Sequence, residues 1–525
     1  MKKTLLSLYT LALCSSVAVA QDYNFALVKD ICNGCDGRPG MMYLSDNKIF
    51  FAATSAGKTA TWVTDGTEAG TQMLKQVMPN GFKAFGGKVY FNGDDGTTGS
   101  ELWVTDGTPG GTNLLKDINQ LPQGSSSPTE FTELNGKLYF SASDGNNGTE
   151  LWVTDGTTAG TTQVKDINNG AAGSNPRYMT VMGNMVYFAA ENGGDIELWK
   201  SDGTSGGTTQ VKDINPIGQS NPASLVVYNN MLYFSAFDGA NGRELWTSDG
   251  SEAGTTMFKD IDAGGGSSTP QLFTINNGKL FFTANTAANG RELWISDGTP
   301  SGTVMVKDID PSTSAVGSFD MVAFNNSVYF QKSDGGANEN LWMSDGTAAG
   351  TQKVTGDCYA PSQLTVFGDK LYFIGVSNDG SNTLTQLWQT NGTTAGTKMV
   401  RPAGNTVTNS LGGAELTPLG DHLYFSAKYD EGTGYELWSM YAFPTSVEAV
   451  AKHDAITIYP NPATNVLHIQ KGNNVVTAVS IYAITGQMLL QTTQTDIDIN
   501  MLPSGNYFVH VVANGTLSAH KLVKQ

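Results

Sequence analysis

Residues 129–167 read TEFTELNGKLYFSASDGNNGTELWVTDGTTAGTTQVKDI. Asn135-Gly136 is a tight-hairpin signal, because both residues tolerate positive φ. On either side of it, Thr129–Leu134 and Lys137–Ser141 read as strands, the second with Leu138 and Phe140 on one face and Tyr139 on the other. Glu150–Thr154 reads as a third strand after the loop SDGNNG, and Thr161–Ile167 as a fourth after the turn DGTTAG. Four short antiparallel strands joined by tight turns make one propeller blade, here labelled A to D in chain order. A sheet this small buries too little to stand alone, so further copies must pack against it.

The copies are marked by tryptophan. All nine, Trp62, Trp103, Trp152, Trp199, Trp246, Trp294, Trp342, Trp388 and Trp438, fall in the same motif at intervals of 41 to 50 residues. That period lies in the range of propeller blades. The expected fold is therefore all-β, a β-propeller of nine four-stranded blades, with an eight-bladed ring and one divergent unit as the alternative. The first unit departs most, with Ala60-Thr61-Trp62 in place of Glu-Leu-Trp. Each Trp is expected to cover the gap between neighbouring blades, with the preceding Leu facing the other way. The Asp that follows (Asp65, Asp106, Asp155, Asp202, Asp249, Asp297, Asp345) is read as a turn former accepting backbone N–H groups. Asn391 takes its place in one unit, which favours a turn role over metal binding.

The two ends of the array are complementary. Ala26–Ile31 resembles a strand D with no A, B or C before it, and the unit ending near Met440 has A, B and C but no D. Pairing them would close the ring and remove exposed edges.

Outside the repeats, the N-terminus reads as a secretory signal, residues 1–20. Lys2 and Lys3 precede the apolar run Leu5–Leu13, which is too short for a membrane span, and Ala18-Val19-Ala20 offers cleavage before Gln21. Cys14 raises a lipoprotein alternative, but Leu13 stands where that site wants a small residue. Export makes a local Cys32–Cys35 disulfide plausible. The formal charge of −18 argues against a nucleic-acid partner, and no later apolar run is long enough for a transmembrane segment.

Carried by ELWVTDGT, intact at Glu101–Thr108 and again at Glu150–Thr157, residues 21–442 resemble the ELWxxDGT repeat family of bacterial surface proteins. The resemblance implies a secreted repeat protein and no known reaction. After a linker at 443–455 the chain changes character. Tyr459-Pro460-Asn461-Pro462, the Gly486-Gln487 turn, Gly505 with Tyr507, and Lys521 to Lys524 make residues 456–525 resemble a type A sorting domain of the type IX secretion system. That resemblance implies a small β-sandwich, type IX secretion machinery as a partner, and a secreted or outer-membrane-surface location.

Chemistry is sparse. The propeller holds one histidine, His422, which rules out a His-based triad or multi-His zinc site there. We therefore expect no enzyme and no resident cofactor. Calcium is the candidate metal, with Asp95, Asp144, Asp238, Asp334 and Asp430 of the B–C loops as ligands and the Glu of ELW, such as Glu150 or Glu244, as an added one; a turn role for those Asp residues is the simpler alternative. Variable loops on a rigid frame usually carry function, so the face bearing the B–C and D–A loops is the expected contact surface. The expected function is binding or adhesion at the cell surface, with a glycan or a protein as ligand. A structural envelope or matrix component is the first alternative, and a hydrolase using acids at the channel mouth the second.

Overall fold

The computed structural model describes residues 23–311, 320–336, 338–378, 384–402, 411, 415–430, 432–442, 456–472, 474–483, 488–513 and 516–525. The expected leader, its cleavage site and the linker lie outside them. The chain divides into a compact unit spanning Phe25–Met440 and a second containing Tyr441–Gln525.

The first unit contains nine four-stranded sheets among the described residues, and no helix. Blade 3 shows how the sequence builds one. Its strands are Thr129–Leu134, Lys137–Ser143, Thr149–Thr154 and Thr162–Lys165, and Asn135 and Gly136 take φ of 52° and 69°. The fourth strand stops two residues before the sequence suggests. The cause is Ile167, whose N–H leaves the ladder to donate to the carboxylate of Glu150 at 2.9 Å. The divergent first unit still forms a complete sheet, from Gly40–Ser45 to Gln72–Lys75.

The ninth blade closes the ring. Thr417–Leu419, His422–Ala427 and Glu436–Ala442 supply three strands, and Tyr23–Lys29 pairs with Glu436–Ala442 as the fourth. Glu436 accepts N–H bonds from Ile31 at 2.7 Å and Gly37 at 2.8 Å, some 400 positions away in sequence. Cys32 is disulfide-bonded to Cys35 within this segment, and Cys358 is buried.

Blades are held together by the apolar faces between them. Trp152 of blade 3 packs against Tyr90, Leu102, Val104 and Ile118 of blade 2, while Leu151 faces forward into a cluster with Val186, Phe188 and Trp199 of blade 4. The same arrangement spans the closure, where Trp62 packs with Val28, Ile31, Tyr424 and Leu437. Fully burying an aromatic or aliphatic side chain contributes roughly 1.5–3 kcal/mol, so each interface rests on several such terms. Lysine adds an outer clamp. Lys116, Lys165 and Lys307, each from a Val-Lys-Asp-Ile or Leu-Lys-Asp-Ile strand end, lie 5.8–5.9 Å from the centre of the next blade's Trp ring.

The second unit is a sandwich of a three-stranded sheet (Thr457–Tyr459, Val466–Gln470, Asp496–Asp498) and a four-stranded one (Val476–Ala483, Met488–Thr492, Gly505–Ala513, Thr516–Lys524). Leu467, Ile469 and Ile497 of the first meet Val479, Ile481, Val509, Val511 and Leu522 of the second. Every second residue of Tyr507–Ala513 points inward, as strand alternation requires.

Candidate ligand-binding face

Strand order places the B–C loops and the D–A connectors at one end of the blades. A recurring carboxylate fastens the two together. In blade 3, Glu150 accepts from Ile167 N, from Ser174 N at 2.7 Å and from Ser174 Oγ at 2.5 Å. Glu101 does the same with Ile118 and Ser126, Glu197 with Ile214 and Ser220, and Glu244 with Ile261 and Ser268. These glutamates are buried, and burial pushes their carboxyls up, that of Glu197 to about 7. Each carboxylate holds the end of strand D and the start of the next blade's connector, so Glu150 and Glu244 face the interior rather than a loop-borne ion. Sequence reading missed this clasp. Its signal was present in the fixed offset of 17 between Glu and the Ile of the strand-D end, with a Ser 23 to 25 residues on, just before the next strand A.

The five candidate calcium ligands stand in five different blades. Asp95 accepts N–H bonds from Thr97 and Thr98 at 2.8 and 2.9 Å. Asp144 accepts from Asn146 and Asn147, and Asp238 from Ala240 and Asn241, each at 2.7–2.9 Å. Asp334 pairs with Lys353 at 2.5 Å, and Asp430 accepts from Gly432 at 3.2 Å. Each side chain is engaged within its own blade, and the structure does not bring the five together. Among the described residues the one group of three acids close enough to share a cation is Asp195, Glu197 and Asp213 of blade 4, with ligand atoms within 4.8 Å. Asp195 stands there because the B–C loop of blade 4 is a short hairpin, ENGGDIELW, with an acid where blade 3 has Gly148.

On the opposite end, the DGT turns behave as read. Asp155 Oδ1 accepts from Thr157 N at 2.9 Å and Thr157 Oγ1 at 2.7 Å, and Asn391 makes the same two bonds without charge. The hydroxyl bond holds each of these aspartates below the usual carboxylate range. His422 sits at an A–B turn, its Nδ1 2.6 Å from Asp421.

The loop face carries a cavity of about 750 Å³ between the blade 4–5 connector, the B–C loop of blade 5 and the connector that follows, lined by Asn215, Ile217, Gln219, Phe237, Arg243 and Ser267 among others. Arg243 rises from the start of strand C. Its Nη1 donates to Asn221 O at 2.7 Å and Ser235 O at 3.4 Å, and its Nη2 to Ser220 O at 3.5 Å.

In the sandwich unit, the segment around Asn461 is fastened to the last strand. Asn461 accepts from Val523 N at 2.9 Å and donates to Lys521 O at 2.5 Å. Ala463 N donates to Val523 O at 2.8 Å and bridges to Lys524 in parallel. Tyr459 stacks on His468 at 5.2 Å, with cis bonds before Pro460 and Pro462. Gly505 opens the strand carrying Tyr507, whose hydroxyl donates to Pro503 O at 2.5 Å. Gly486 and Gln487 lie outside the described residues.

No curated protein matches the chain in sequence. Among solved structures, a puromycin hydrolase aligns at 12% identity and a TM-score of 0.37, covering 75% of this chain and 59% of its own. A prolyl endopeptidase aligns at 14% identity and 0.38, covering 70% and 55%. A puromycin-hydrolysing peptidase of Mycobacterium tuberculosis aligns at 13% and 0.38, covering 83% and 64%. The chain thus spans less than two thirds of the length of each. These matches correct the expectation that the chain is not an enzyme. By their names, two hydrolyse puromycin and one is a prolyl endopeptidase. Among the described residues no helix is long and apolar enough to cross a membrane. Residues 457–525 match the secretion system C-terminal sorting domain, and with the segment around Asn461 fastened to the final strand, the C-terminal unit is a sorting domain of the type IX secretion system.

Proposed function

We propose that the chain is an ELWxxDGT repeat protein which enters the periplasm through a cleaved leader ending near Ala20, crosses the outer membrane by its sorting domain, and presents the propeller as a binding module at the cell surface or in the medium. The observation that carries the binding half of this reading is the division of labour on the loop face. Buried glutamates fix the frame, while the loops above it differ from blade to blade and enclose a cavity between blades 4 and 5. Rigid frames with variable loops suit recognition, and a ring of similar modules suits multivalent contact. The ligand class is a glycan or a protein.

Two experiments test the two halves. Deleting residues 456–525 should strand the propeller in the periplasm; continued release to the medium would sink the export half. Screening the full chain on a glycan array and against surface proteins should yield a discrete ligand that competes with changes on the loop face. Self-association with no other ligand would favour a matrix component instead.

A further inference from the structure

We infer that the cavity between blades 4 and 5 is a subsite for a carboxylate-bearing saccharide, gripped by the Arg243 guanidinium and the Asn215 side chain. The inference rests on the binding reading above and names the ligand chemistry that this one site fits.

Three observations converge on it. The first is a cation with no acid. The chain has five arginines, Arg38, Arg177, Arg243, Arg291 and Arg401. Where blades 2 and 3 place Ser100 and Thr149, blades 5 and 6 place Arg243 and Arg291. Arg243 meets backbone carbonyls and the Ser235 hydroxyl, and among the described residues it forms no ion pair. Carbonyl dipoles orient a guanidinium but do not neutralise it, and a half-buried cation gains from an anion that can reach it. Its Nε–H is not among the donors used, which leaves one edge of the planar fork for a carboxylate.

The second is an acceptor with no donor. Asn215 is 3% exposed, and its Nδ2 donates to Gln219 O at 3.2 Å. Its Oδ1 is buried and has no hydrogen-bond partner. The equivalent asparagines are served: Asn168 Oδ1 accepts from Gly193 N at 3.0 Å, and Asn119 Oδ1 from Leu121 N at 3.3 Å. A buried acceptor left without a donor is costly, and a ligand hydroxyl would relieve it.

The third is an apolar shelf. Ile217 is 87% exposed at the rim and Phe237 lines the wall. A pyranose carries a C–H face for such a surface, hydroxyls for Asn215, and, in a uronic acid, a carboxylate for Arg243. The volume suits one or two sugar rings, since small-molecule sites run from roughly 300 to 1,000 Å³. One cation in a strongly acidic chain favours a single carboxylate over a multiply charged phosphate or sulfate.

The test is calorimetric titration of the full chain with trisaccharides of galacturonate, glucuronate and mannuronate, beside their methyl esters and neutral maltotriose. At least one acid form should bind, with its ester and maltotriose weaker by about tenfold or more, as loss of one charge-assisted pair predicts. Arg243→Gln should weaken binding to the same degree. Ile217→Glu, on an exposed side chain, should do so with the melting temperature unchanged, and it guards against a misfolded Arg243 variant. Failure of every acid saccharide, equal binding of the ester, or preference for glutamate-containing peptides would overturn the subsite. If a neutral glycan or a protein binds and neither variant disturbs it, the subsite falls while the binding reading stands. If no ligand of any class binds, both fall.

Discussion

Blades 3 and 8 share a motif and differ at the buried residue that precedes its Leu–Trp pair. Blade 3 reads Glu150-Leu151-Trp152, and blade 8 reads Gln386-Leu387-Trp388. Both Leu–Trp pairs are buried, and both sheets have four strands. Glu150 is held by the connector it fastens, and Gln386 is buried at the same place with 3% exposure. The first blade goes further, with Ala60 at the equivalent position and Thr61, one residue on, donating from its Oγ1 to Val77 O at 2.8 Å. The position therefore does not demand a charge: blade 8 builds its sheet with a buried amide there and the first blade with a buried alanine. Neutral residues stand there in some blades, and where a glutamate stands there burial pushes its carboxyl toward the neutral form.

That comparison can be broken most sharply by truncation. Glu150→Ala leaves the Ile167 and Ser174 N–H groups buried without an acceptor, which should cost about 2–6 kcal/mol at 1–3 for each group. Chemical denaturation would show it, and a loss below 1 kcal/mol would mean that water takes over. Glu150→Gln should be far milder, under about 1.5 kcal/mol, since an amide can accept the same bonds. If Gln proves as damaging as Ala, the charge matters and the likeness to blade 8 is superficial.

The next test is pH. Glu197 is held at about 7 by burial, above its unfolded value, so the folded state binds the proton more tightly. Its stabilising contribution is complete below about 4.5 and is lost as pH rises toward 7, by at most about 3 kcal/mol. The buried glutamates of blades 2, 3, 5, 6 and 9 shift in the same direction. The DGT aspartates shift the other way and lose their contribution only as pH falls below the ordinary carboxylate range. The melting temperature should therefore be higher at pH 5 than at pH 8, and Glu197→Gln should narrow the gap. A flat profile between those values would contradict the clasp's protonation.

The smallest effect is expected on the opposite face. Asp155→Asn should leave the denaturation midpoint unchanged within error, as surface changes away from buried features usually do, because Asn391 already makes the same turn. A larger loss would show that the turn needs the charge.

Much of this architecture was legible from residue pattern. The nine tryptophans, the Asn135-Gly136 hairpin and the orphaned strand near Ala26 led to blade number, strand order and closure, because periodicity and turn chemistry are local properties. Strand ends were less legible. The fourth strand of blade 3 stops at Lys165 because of a bond to Glu150, and side-chain capture across a sheet leaves no mark on local pattern. The ELW glutamates were misread for the same reason, since a Glu flanking a loop looks exposed until the fold buries it. The Arg243 cavity joins the B–C loop of blade 5 with the connectors before and after that blade, and spacing alone does not reveal which loops converge. The tail was the most legible part, its motif residues standing in order along the chain.

Closing the last sheet with Tyr23–Lys29 has a consequence for biogenesis. Blades 1 to 8 can stack in order as the chain emerges, each new sheet covering the one before. The segment that completes blade 9 is among the first to appear and must wait, its backbone edge open, for strands made some 400 residues later. An unpaired strand held for that long is a template for wrong partners. The disulfide between Cys32 and Cys35 sits just beyond that strand, where it shortens the loose stretch to be policed in the meantime.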